Sequence, residues 1–127
     1  MSYYTYYEIE CFDDGAKKDK EIILGNHYID RQIMNCIMRE ISKKSNYEFT
    51  CGDYSIYSQG CIKWYYHDDD MIDISKQFPH VIFGVYGDGE ERLDFWHNFY
   101  YNGRMLECEG EIVYPDEVYL SKFLKGG

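Results

Sequence analysis

Polar and apolar residues alternate on both sides of Asn102-Gly103, and the rest of the chain can be placed by reference to that point. An Asn-Gly pair between alternating runs is the strongest short-range sign of a two-residue type I′ turn, in which both central residues take positive φ. Pairing Tyr101 with Arg104 sets the register outward, because strand side chains point alternately to opposite faces. One face then carries Leu93, Phe95, His97, Phe99 and Tyr101 against Arg104, Leu106, Cys108, Gly110 and Ile112, and is expected to meet the core. The other carries Asp94, Trp96, Asn98 and Tyr100 against Met105, Glu107, Glu109 and Glu111, which predicts an acidic, aromatic surface toward solvent.

Upstream, residues 2–12 alternate loosely and predict a strand. Asp13-Asp14-Gly15 and the lysines after it read as a turn and a charged loop. Over residues 27–44 the period changes: Ile29, Ile33, Cys36, Ile37 and Ile41 fall at steps of three and four, which predicts an amphipathic helix with Asn26 as N-cap. Residues 47–66 read as one long bulged strand or two shorter ones. Asp68-Asp69-Asp70, placed before Met71, Ile72 and Ile74 and closed by Phe78-Pro79, predicts a short helix whose acidic start suits its dipole. Val81 begins another strand, with Gly87-Asp88-Gly89 as the turn into the hairpin, and Val118, Leu120, Phe123 and Leu124 predict a brief packed tail. This order implies a single α+β domain over residues 1–127. The expected arrangement is ferredoxin-like, an antiparallel sheet with one long and one short helix on one face and the other face left to solvent.

Composition narrows the partners. Lys and Arg total 13 against 23 Asp and Glu, a formal charge of −10. Contact with phosphate backbones needs clustered cations, so this balance argues against direct nucleic-acid binding and for a basic protein partner. Five cysteines without close pairs, and no apolar run of membrane-spanning length, predict a cytosolic protein with reduced, buried thiols. Fifteen tyrosines allow an adhesive surface that is not greasy.

Several strings carry a family resemblance: Lys63-Trp64-Tyr65, Ser75-Lys76-Gln77-Phe78-Pro79, Gly87-Asp88-Gly89-Glu90, Asp94-Phe95-Trp96 and Asn102-Gly103. Together, over residues 63–115, they resemble the YubB-type ferredoxin-like domain of phage and plasmid proteins. The resemblance implies the fold and a mobile-element origin, and brings no catalytic residues with it. In size and acidity the chain also resembles phage antagonists of host defence such as anti-CRISPR proteins.

Cys51, Cys61, His67 and His80 lack the paired spacing of a closed metal site, and no cofactor is called for. His97 and Cys108 should face each other across the hairpin, either as a thiol beside a histidine in the core or as a reactive pair. Glu107, Glu109 and Glu111 recur every ~6.8 Å along one strand, comparable with phosphates along one nucleic-acid strand. The partner-binding set is therefore Asp94, Trp96, Tyr100, Glu107, Glu109 and Glu111. The expected function is non-enzymatic: the carboxylates stand in for phosphates, the aromatics supply contact area, and a host nucleic-acid-binding enzyme such as a CRISPR effector is blocked sterically. One alternative is an assembly module that forms a homodimer or holds another protein. Another is a small enzyme or ligand-binding protein using His97 and Cys108.

Overall fold

The computed structural model describes residues 4–89, 95–109 and 117–126. The chain forms β1 (Thr5–Asp13), α1 (Arg31–Ser45), β2 (Phe49–Cys51), β3 (Ser55–Ser58), α2 (His67–Gln77), β4 (Val81–Gly89), β5 (Phe95–Tyr101), β6 (Arg104–Glu109) and α3 (Glu117–Leu124). Short 3₁₀ turns at Asp14–Lys18 and Leu24–Asn26 lie between β1 and α1. Among the described residues, six strands join one sheet in the order β2-β3-β1-β4-β5-β6, antiparallel at every pairing. The fold is α+β, as its alternation of strands and helices predicted. Among the described residues, no helix is long and apolar enough to cross a membrane.

The hairpin has the predicted register. Tyr101 pairs with Arg104, Phe99 with Leu106 and His97 with Cys108. Asn102 (φ 50°) and Gly103 (φ 80°) supply the two positive-φ positions. The turn is also held from outside, because Ser75 Oγ of α2 accepts from Gly103 N at 2.8 Å.

The assignment of faces is a correction. The main core, under α1 and α2, contains Ile9, Cys11, Met34, Ile37, Ile41, Met71, Ile74, Phe83, Val85 and Tyr100, with Trp96 and Met105 packed against it. Tyr100 is therefore buried on the face expected to meet solvent. The Phe99 and Tyr101 face is covered as well, by a second cluster with Phe12, Ile82, Leu120, Phe123 and Leu124. A hairpin pattern separates two faces without saying which layer will cover each, and here α3 and the 3₁₀ segments form a third layer. Tyr101 anchors that layer by donating to Asp14 Oδ2 at 2.7 Å and accepting from Lys17 Nζ at 2.9 Å.

Other boundaries moved for local reasons. The cap of α1 is Asp30, whose Oδ1 accepts from Ile33 N at 3.0 Å, and not Asn26, which lies in a 3₁₀ turn. The inward stripe of α1 is Met34, Ile37 and Ile41. At about 100° per residue Cys36 lies roughly 130° from the middle of that stripe, and it is exposed. Cys61 is exposed too, Cys51 and Cys108 are half-buried, and of the five thiols Cys11 alone has the full burial expected. Residues 47–66 resolve into β2 and β3, and Gly87-Asp88-Gly89 is the end of β4 and not a turn.

Candidate functional site

Of the predicted partner-binding residues, the described side chains are Trp96, Tyr100 and Glu107, and these three do not share one exposed surface. Asp94 and Glu111 lie outside the described residues, and Glu109 is placed by its backbone pairing with Trp96. Glu107 is exposed at the sheet edge on the helix side. Trp96 lies flat over Gly87, where an added Cβ would stand 2.0 Å from its ring, and it stacks on His67 at 4.8 Å. Tyr100 is buried and cannot supply the contact area expected of it, while Trp96 is half-buried, with its ring packed against the core and against His67.

These residues instead belong to a network that ties α2 to the sheet. Asp68 Oδ1 accepts from the Tyr100 hydroxyl and from Asn98 Nδ2, and lies 3.3 Å from His67 Nε2. Trp64 Nε1 donates to Asp70 Oδ2 at 2.7 Å, while Tyr7 Oη donates to the Trp64 carbonyl at 3.3 Å. Burial and the Asp68 contact push the Tyr100 hydroxyl pKa far upward, so it stays a donor. The triple aspartate thus does more than complement the helix dipole: two of its carboxylates anchor α2 to aromatic donors.

His97 and Cys108 do face each other, but burial holds the imidazole down to about 4 and pushes the thiol up. Both are thus neutral near pH 7, the reverse of what a thiolate–imidazolium pair needs. His97 stacks on Tyr86 with ring centroids 3.9 Å apart. Among the described residues, no three His, Cys, Asp or Glu side chains are grouped to hold a metal ion.

The exposed chemistry lies on the part of the second sheet face beyond the reach of α3. Direct cross-strand partners share a face, so the pairings define rows across the sheet. One row runs Tyr57, Glu8, Tyr86, His97 and Cys108; the next runs Tyr6, Asp88 and Phe95. Phe95 is 42 % exposed, Asp88 is exposed, and Tyr6, Glu8, Tyr57 and Tyr86 are half-buried. Burial, with help from the charge of Glu8, raises the Tyr6 hydroxyl. A cleft of about 220 Å³ runs between Tyr6, Glu8, Tyr86, Asp88 and Phe95. Along β1, Glu8 and Glu10 recur at the ~6.8 Å interval noted for the hairpin glutamates. The alternation of residues 2–12 carries this signal, since Tyr6, Glu8 and Glu10 fall on one side of the strand.

Compared with family models, with curated proteins and with solved structures, the chain matches none.

Proposed function

We propose that this is a non-enzymatic, acidic phage- or plasmid-type protein that binds a basic surface on a host nucleic-acid-binding defence enzyme and obstructs its nucleic-acid channel, as anti-CRISPR proteins do. The observation that carries this reading is the open sheet half, where Glu8 and Asp88 are interleaved with Tyr6, Tyr57, Tyr86 and Phe95. Carboxylates spaced by aromatic rings suit a groove rich in arginine and lysine, because the rings supply area and cation–π contacts while the charges set the approach. The net charge of −10 steers the same encounter. Glu8 and Asp88 thus take the role expected of the hairpin carboxylates, while Glu107 lies on the other face of the sheet.

We further infer that the scaffold is ferredoxin-like. The segment β1-α1-β2-β3-α2-β4, with strand order β4-β1-β3-β2 and both helices over one core, has the connectivity of that fold, and β5 and β6 extend it at the β4 edge.

The test uses the tagged protein to capture a nucleic-acid-binding enzyme from host lysate, then measures how well the captured enzyme binds its nucleic acid. Competition that weakens with salt, and that the double variant Glu8→Lys/Asp88→Lys abolishes without loss of folded signal, is the expected result. Capture that ignores both salt and the two lysines would sink the proposal.

A second reading, self-association or assembly, draws support from β6, which pairs only with β5 among the described residues and so offers a strand edge. Light scattering decides it, since a stable dimer formed through that edge doubles the measured mass.

A further inference from the structure

Between the sheet and residues 21–28 lies a cavity of about 380 Å³, separate from the network under α2. That volume falls within the range of small-molecule pockets, roughly 300–1,000 Å³. Phe12, Ile22, Leu24, Phe99 and Leu120 form apolar walls, and two carboxylates, Glu10 and Glu21, also line the space. Glu10 comes from the central strand β1 and is opposite Gly84, over whose bare backbone His97 and Phe99 close. A Cβ at Gly84 would stand 3.2 Å from His97 Nε2 and 3.3 Å from Phe99 Cε1.

The charges lining the cavity are of one sign. Tyr28 Oη donates to Glu10 Oε2 at 3.1 Å, which orients the carboxylate, and Tyr28 is itself a wall. Among the described lining residues there is no Lys or Arg, and Lys17 is turned to Asp14 and Tyr101. Burial raises the Glu10 pKa, since a carboxylate taken from water is stabilised only by what replaces the water. An anion entering this space would be repelled. A neutral apolar body would strip water from Glu10 and return nothing, whereas an ammonium would pair with it against the faces of aromatic walls.

We propose that this cavity binds a small amphiphilic organic cation, a primary ammonium carried on an aromatic or aliphatic body, with Glu10 as its counter-ion and the rings of Phe12, Tyr28 and Phe99 around it. Glu21 lies on the exposed loop at the mouth and draws the cation in. The cavity adjoins the docking face, with His97 lining both, but the two readings are tested by different variants and different ligands, so one can fail without the other.

Calorimetric titration with three probes of similar shape tests the assignment: tryptamine (cationic), 3-ethylindole (neutral) and indole-3-propionate (anionic). Tryptamine should bind saturably, with the other two weaker by about tenfold or more, and Glu10→Gln should remove that preference. Equal binding of all three probes, no tryptamine binding at millimolar concentration, or unchanged affinity in a folded Glu10→Gln variant would each overturn the proposal. If Glu10→Gln does not fold, Glu21→Lys takes its place: a cation at the mouth should weaken tryptamine by a similar factor, and no change would count against the site.

Discussion

Gly87 and Trp96 show how one missing side chain sets a neighbour's place. The indole ring occupies the space a Cβ would fill, and from there it stacks on His67 at the start of α2. Gly87→Ala should displace the ring and cost about 1–3 kcal/mol, the usual range for an overpacked core. Urea unfolding measures the loss, and a shift in tryptophan emission reports the movement. His97 has a pH signature of its own. Its pKa, ordinarily 6.5, is held down to about 4 by burial, so the unfolded chain takes up the proton well before the native one does. The stability this group confers is complete above pH 6.5 and declines as the pH falls toward 4. At 1.36 kcal/mol per pK unit the loss approaches about 3 kcal/mol. Glu10, raised by burial, works in the opposite direction, so the measurement compares His97→Gln with the parent in matched buffers. The variant should show the flatter decline in unfolding midpoint between about pH 7 and pH 5.

Elements begin and end where side chains satisfy backbone groups. Asp30 caps α1 and Asn46, at φ 64°, closes it. Asp30→Ala should destabilise the protein by about 1 kcal/mol, while Asn26→Ala, one 3₁₀ turn upstream, should leave the helix unchanged. Thermal unfolding followed by circular dichroism separates the two. The same logic explains what could be read beforehand. Asn102-Gly103 specifies its turn locally, through positive φ, and the register of β5 and β6 follows from it. Both Asn26 and Asp30 are chemically suitable caps, and four residues apart in sequence they could be told apart only by where the chain leaves the sheet. Gly87-Asp88-Gly89 looks like a turn in isolation, yet β1 provides partners for all three residues and keeps them extended.

Across the whole molecule, a charge of −10 on 127 residues sets up self-repulsion that salt relieves. Raising the ionic strength from about 0.02 M to about 0.3 M should therefore raise the urea midpoint of the free protein, while weakening any electrostatically steered complex. A midpoint that falls with salt would mean that attractive pairs such as Lys44–Asp73, between α1 and α2, outweigh the repulsion. Local periodicity and turn chemistry, which act between near neighbours in the chain, were enough to determine the α+β class, the hairpin and its register, and the helical nature of α1 and α2. The faces of the sheet were decided only in three dimensions. Tyr100 and Phe99 carry similar rings on opposite sides of β5, and each is buried by a different layer: α1 and α2 over one, α3 and the residues after β1 over the other. Which carboxylates stay accessible depends on where those layers end. That limit is set by packing between residues far apart in the chain, and no repeat within a single strand encodes it.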